Sequence, residues 1–315
     1  MSTIQATASA ARPMSLKSWG MLILLGLIWG GSFFFARISV AEIPPLTLVL
    51  LRVVIAAAAL HLYLAAAGIS FRLALPFAGG FVLLAVLNNV IPFSLIFAGQ
   101  TQLGAGLASV LNATTPFWTV LLANALTQDE KLTWNKVLGI LLGIAGTAIM
   151  IGPGLLAGIG GPVWPKFALV GASLSYALAL MVAKRFRGVP PAVVATAQLT
   201  ASSVIMLPVV LGIDGSQGMF AASATVWSAV FGLALLSTAF AYLLFFRLVA
   251  ESGATNASLV TLIVPASAML LGTLFLGERL ETIEILGMAA IIAGLVTIDG
   301  RLFAGSANRS RNRSG

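Results

Sequence analysis

The sequence predicts an all-α integral membrane protein whose ten transmembrane helices form two inverted five-helix repeats, with the N- and C-termini cytoplasmic. Three observations predict this. Of 315 residues, 59% are hydrophobic and 8% charged, with a mean hydropathy of +1.06, whereas a soluble domain carries roughly 25% charged residues. Apolar runs of about 20 residues, the length that crosses a hydrocarbon core, recur from Trp19 to Phe303 with no polar domain between them. Finally, the stretch from Ser252 to Asp299 is echoed by one that begins at Leu103.

The runs cover residues 19–39, 45–67, 74–98, 102–126, 134–152, 165–184, 190–212, 224–248, 254–276 and 282–302. In lipid each backbone polar group must be bonded within its own segment, so the runs are helices. They lack the two-residue alternation of a barrel. The echo has a constant offset: Gly104, Ala108, Ser109 and Pro116 match Gly253, Ala257, Ser258 and Pro265, each 149 residues on. After a one-residue loss at the hairpin, Glu130, Gly139 and Gly146 match Glu278, Gly287 and Gly294 at 148. Trp29 likewise matches Tyr176 at 147, and Pro44-Pro45 matches Pro190-Pro191 at 146. A shared offset through several helices marks an internal duplication. It divides the chain into a cytoplasmic tail (1–18), a first repeat (19–153), a second repeat (164–302) and a disordered basic cytoplasmic tail (303–315).

Five helices carry a chain to the opposite face, so the second repeat is expected upside down relative to the first. With the N-terminus inside, thirteen of the 17 Lys and Arg lie on the cytoplasmic side, with Arg37, Lys166 and Arg279 outside and Arg52 within a helix. This is the bias that orients membrane proteins. It also accounts for the net charge of +8, so no nucleic-acid partner is expected. The polar start with Arg12 and Lys17 is expected to precede a spanning helix, not to form a cleaved leader. There is no cysteine and one histidine, His61, expected near the cytoplasmic interface. No HExxH motif or carboxylate pair is present, so an enzyme, a metal site and a cofactor are not expected.

The motif IWGGSFFFARIS, the run IPPLTLVLLR around Arg52, and LALLSTAFAYLLFFRLVAESGATNASLVTLIVPASAMLLGTLFLGERL with its Gly-rich last helix resemble the drug/metabolite transporter superfamily, in particular its EamA family. The resemblance runs from about Trp19 to Arg301. It implies a ten-helix carrier of two repeats that exports small metabolites, often amino acids, across the bacterial inner membrane. A carrier of other metabolites or of drugs, in either direction, and a scaffold that transports nothing remain as alternatives. The expected partners are a small-molecule substrate and the lipid bilayer.

Inverted repeats place a binding site between the halves near the midplane. Arg52 lies eight residues beyond Pro44 and Gln198 eight beyond Pro190, which at 1.5 Å per residue is roughly 12 Å into each helix from opposite faces. Arg52 either snorkels to helix-end carbonyls or serves a substrate anion or an outer gate, with Glu42 as its candidate partner. Trp29 and Tyr176 fall near mid-depth, as do Phe93 and Tyr242 at the 149 offset, with Asn88 and Asn89 one turn away. Phe33, within the IWGGSFFFARIS motif, is a further cavity candidate. Ser109, Asn112 and Pro116 share one face of the fourth helix, and Ser258, Thr261 and Pro265 repeat it in the ninth. Asn112 and Thr261 are cavity candidates and Pro116 and Pro265 candidate hinges, since proline frees a carbonyl and bends a helix; plain packing is the competing reading. All nine acidic residues fall in loops or at helix ends, so no buried carboxylate is expected to relay protons. Gly139, Gly143, Gly146, Gly287 and Gly294 fit either internal packing or a homodimer.

Overall fold

Proline pairs, serines and glycines punctuate the apolar runs, and the helices of the computed structural model begin and end at them. The structure describes residues 15–126, 133–157, 163–186, 188–215 and 221–299; among these there is no strand. The first repeat comprises α1 (Leu16–Ser39), α2 (Pro45–Ala66), α3 (Phe71–Gln100), α4 (Ala105–Ala125) and α5 (Trp134–Ala157). The second comprises α6 (Trp164–Phe186), α7 (Pro191–Ile213), α8 (Ala224–Ser252), α9 (Val260–Leu276) and α10 (Thr282–Asp299). Seven of these, α1 to α4 and α6 to α8, are long and apolar enough to cross a membrane; the apolar lengths of α5, α9 and α10 are shorter. The chain termini, and Asp129, Glu130 and Lys131 of the first hairpin, lie outside the described residues.

Local chemistry fixes the helix ends. Ser15 Oγ accepts from the N–H of Ser18 at 3.1 Å and starts α1. Pro45 and Pro191 occupy the first positions of α2 and α7, where the missing N–H costs nothing and φ is already helical. Gly277 stops α9 in the left-handed region at φ 65°, a conformation that glycine adopts without a Cβ clash.

Two helices carry π-helical turns, at Val86–Val90 in α3 and Gly232–Phe240 in α8. The offset of 149 maps the first onto residues 235–239, inside the second. Each turn inserts an extra residue, which rotates the rest of the helix about its axis and turns a polar pair inward, Asn88-Asn89 in α3 and Ser237-Thr238 in α8. The expected hinges are not equivalent. In α4 the helix breaks at Ala113-Thr114 and restarts with Pro116 in its first turn. In the second repeat the break comes at Ser258-Leu259, before α9, and Pro265 lies inside unbroken helix.

The packing is symmetric under exchange of the repeats. Helix α1 packs on α9 and α8 as α6 packs on α4 and α3, α2 contacts α8 as α7 contacts α3, and α2–α7, α4–α9 and α5–α10 pair across the seam. The glycines dense in α5 and α10 face one another. A Cβ on Gly139 would lie 2.6 Å from the carbonyl oxygen of Gly294, and one on Gly146 2.5 Å from that of Gly287. Residue number rises along one helix as it falls along the other, so α5 and α10 run antiparallel. Of the two sequence readings of these glycines, the structure shows the internal one. The largest apolar cluster, with Leu48, Val53, Phe97, Leu111, Leu199 and Met206 at its centre, spans both repeats.

Carboxylates tie the repeats together at one end of the helices. Asp214 Oδ2 accepts from the N–H (3.0 Å) and Oγ1 (2.7 Å) of Thr47 at the start of α2. Glu278 accepts from the N–H groups of Ala105 (2.7 Å) and Gly106 (3.1 Å) at the start of α4. Each carboxylate satisfies amide donors that a helix N-terminus leaves open, and the helix dipole favours it there. Among the described residues Glu281 and Glu284 make a local turn, the N–H of Glu281 donating to Glu284 Oε2 at 3.0 Å. Replacing Glu278 with Ala is therefore expected to lower stability by about 1 kcal/mol, measured by thermal unfolding in detergent, whereas Glu281→Ala leaves it nearly unchanged.

Candidate functional site

Arg52 is held within the seam. It stands on α2 with 7% of its surface exposed, so it does not snorkel outward. Its Nε donates to Thr238 Oγ1 of α8 at 2.9 Å, and its guanidinium carbon lies 3.8 Å from the centre of the Phe93 ring on α3. The delocalised cation is thus covered on one face by an aromatic quadrupole. The expected pairing with Glu42 is corrected. Glu42 accepts from the N–H (2.6 Å) and Oγ (2.9 Å) of Ser223 at the start of α8. Those donors, freed by a helix terminus, are near at hand, while Arg52 is turned away toward the π turn. No carboxylate meets Arg52 among the described residues.

The neutral half of the site comes from the same two turns and the matching position of α7. Asn88 Nδ2 donates to Gln198 Oε1 at 2.8 Å and to the hydroxyl oxygen of Tyr242 at 3.3 Å. Asn89 Nδ2 donates to Ser202 Oγ at 3.0 Å, and Ser202 in turn donates to the carbonyl of Gln198 at 2.7 Å. Tyr176 and Tyr242 both stand within electrostatic reach of the Arg52 guanidinium. Arg52, Asn88, Phe93, Gln198 and Tyr242, named from the sequence alone, therefore come together in one cluster, with Arg52, Phe93 and Gln198 buried and Asn88 and Tyr242 half-buried; Tyr176, also half-buried, stands beside it. Asn89, expected beside Asn88, belongs to it as well, and so do Thr238 and Ser202, which the sequence reading does not single out. The repeat offset pairs Asn89 with Thr238 and points to the latter, but nothing in the sequence announces a π turn.

The other candidates lie around this cluster. Trp29 meets Phe245 in a tilted pair at 5.4 Å, Phe245 meets Phe246 at 5.7 Å, and Phe246 stacks on Tyr242 at 6.2 Å. A chain of rings thus joins Trp29 to the site. Phe33 is buried, and its carbonyl accepts from Gln100 Nε2 at 2.8 Å. Asn112 ends the first half of α4, and its Oδ1 is a buried acceptor with no partner among the described residues. Thr261 turns its hydroxyl back to the carbonyl of Ser258 at 2.8 Å. His61 bonds Thr200 Oγ1 at 3.0 Å and packs on Phe71, apart from the cluster.

A separate open cavity of about 740 Å³ lies at the end where the carboxylate ties are, lined in part by Arg37, Glu42, Gln102, Lys166, Glu278 and Arg279. It stops short of Arg52. Gln102, just past the end of α3, lies nine residues beyond Phe93, a span of about 13 Å at helical rise, and bonds between α1 and the end of α3 cross that interval. Arg37 donates to the carbonyls of Gln100 (2.7 Å) and Thr101 (3.1 Å), and Gln100 is itself bonded to α1 through Phe33.

A bundle of apolar helices packed symmetrically about a buried cation and amide cluster, with a charged vestibule at one end, defines a multi-pass membrane transporter. The EamA-like transporter family model matches residues 17–152 and 163–298. The chain belongs to this family, within the drug/metabolite transporter superfamily, and its two matched segments are the two repeats. It is 29% identical over 293 residues to a protein of Escherichia coli (strain K12) described as "Uncharacterized inner membrane transporter YedA", covering 90% of each chain. It is 26% identical over 300 residues to the "Probable amino-acid metabolite efflux pump" of the same organism, covering 90% of this chain and 94% of that protein. To the "Probable terminal-alkyne amino-acid exporter" of Streptantibioticus cattleyicolor it is 27% identical over 204 residues, 64% of this chain and 67% of the other. A crystal structure 18% identical to it superposes with a TM-score of 0.64 over 90% of this chain and 97% of that chain, and shares the fold.

Proposed function

We propose that the protein is a secondary carrier that exports small metabolites, amino acids or compounds related to them, across the bacterial inner membrane. Its ten spans form two inverted repeats, residues 19–153 and 164–302, with both termini cytoplasmic, and the halves rock about a shared site. The antiparallel, reciprocal contact of α5 and α10 supports the inversion: two like helices meeting head to tail need a symmetry axis across their length, not along it. The observation that carries the site is Arg52, a charge buried at the seam with no acidic partner among the described residues. An uncompensated ion in such a place is expensive and marks a ligand pathway. Trp29, Phe33, Asn88, Phe93, Asn112, Tyr176, Gln198, Tyr242 and Thr261 line the path around it, and Pro116 and Pro265 act as its hinges. The two relatives named for amino-acid export support the substrate class.

Counterflow tests this reading. Proteoliposomes preloaded with each amino acid in turn are expected to accumulate a labelled amino acid, saturably and only for a subset of the preloads. Accumulation with drug-like cations and with no amino acid would favour the multidrug reading, and absence of counterflow for every compound would leave a scaffold. Tags placed after Leu126 and after Leu276 are expected to report from opposite faces; reports from the same face would overturn the inverted repeats.

A further inference from the structure

Arg52 is engaged in a specific way. A guanidinium presents five N–H donors in one plane, and here the Nε–H is spent on Thr238 Oγ1. The hydroxyl hydrogen of Thr238 is itself spent on the carbonyl of Leu233 at 2.8 Å, so its oxygen turns a lone pair toward Nε and cannot reverse roles. Phe93 covers one face of the group. What remains is the far edge: Nη1 and Nη2 make no hydrogen bond among the described residues. That edge carries two parallel N–H groups, spaced to meet both oxygens of a carboxylate.

The acids that might otherwise have occupied it are committed elsewhere. Glu42 holds Ser223, Asp214 holds Thr47, Glu278 holds Ala105 and Gly106, and Glu251 pairs with Lys17 at 2.8 Å and Arg247 at 3.1 Å. Thr238 reaches Arg52 because it rides on the π turn Gly232–Phe240. Removing the inserted residue would swing it by about 100° around the axis of α8.

We propose that Thr238 is a positioning residue, which by taking Nε aims the paired Nη1/Nη2 edge of Arg52, and that the ligand of this edge is an organic carboxylate bound end-on through both oxygens. The inference rests on the reading of the buried cluster as the substrate site and adds which atoms recognise which group. Charge alone attracts any anion; a fork fixed at its third donor selects a flat two-oxygen one. Serine at 238 keeps the acceptor, whereas valine keeps the volume and loses it.

The test uses purified protein in detergent and melting-temperature shifts with the proteinogenic amino acids, the carboxamide and the decarboxylated amine of each, and β-alanine against its sulfonate analogue taurine. At least one amino acid is expected to raise the melting temperature while its carboxamide and amine do not, with β-alanine favoured over taurine wherever either acts. For the active compound, Thr238→Val is expected to weaken binding about tenfold, the scale of one charge-assisted bond misaligned, and Thr238→Ser to stay within about threefold of the parent. Arg52→Lys, a point charge without the fork, is expected to lose the preference for carboxylate over sulfonate, and provides a second readout should Thr238→Val fold poorly. An amide that binds as well as its acid, or Thr238→Val that binds as tightly as the parent, overturns the inference and leaves the transporter site standing. No shift with any compound overturns both.

Discussion

Replacing Arg52 with Met is expected to leave the protein folded and at least as heat-stable as the parent while transport falls by more than about tenfold. Both halves of that expectation come from the same fact. A cation withdrawn from water carries a desolvation cost that Phe93 and a neutral hydroxyl offset only in part. An unbranched apolar side chain of similar reach removes that cost, and the Thr238 hydroxyl stays bonded to Leu233. Were Arg52 a structural residue, its loss would instead open a cavity and unpair a buried partner. Melting curves in detergent beside uptake or counterflow in proteoliposomes separate the cases. A variant that melts early, or one that transports normally, sinks the assignment of Arg52 to the substrate.

The opposite signature is expected where α5 crosses α10. Gly139→Leu or Gly294→Leu should destabilise the protein by about 3 kcal/mol or more, at or beyond the upper end of overpacking costs. A Cβ on either glycine falls 2.6 Å from the other's carbonyl oxygen, and backbone cannot step aside as a side-chain tip can. Gly20 in α1 provides the control. A Cβ there meets nothing within 4 Å, so Gly20→Ala should be neutral or slightly stabilising, since alanine is the better helix former. The readout is the melting temperature together with the yield of monodisperse protein. If Gly139→Leu melts like the parent, the α5–α10 seam is not packed as described.

Much of the site was legible before the structure because duplication makes a sequence measure itself. Gln198 is unremarkable alone; it became a candidate because Pro190 and Pro44 place it at the depth of Arg52, and the structure brings both into one cluster. The aromatic pair Phe93 and Tyr242 was found in the same way. Where a side chain must choose among partners, the duplication is silent. Glu42 was a reasonable counterion for Arg52 by charge, yet a carboxylate beside an open helix N-terminus finds amide donors at short range and needs no buried cation. The prolines differ in the same way: Pro116 and Pro265 are repeat-equivalent in sequence, yet Pro116 stands in the first turn after a break in α4 and Pro265 stands inside α9, a difference the offset does not carry.

By itself the sequence determined the solvent, the helices and the duplication, since hydrophobic length and repeat offset are properties of the chain read along one line. The tertiary structure decided how the halves meet. The π turns that swing Asn88 and Thr238 inward, the glycine faces that let α5 touch α10, and the direction of the Arg52 fork each depend on an angle about a helix axis. That angle is set by what packs against the helix, and neighbours in space are not written in the order of residues.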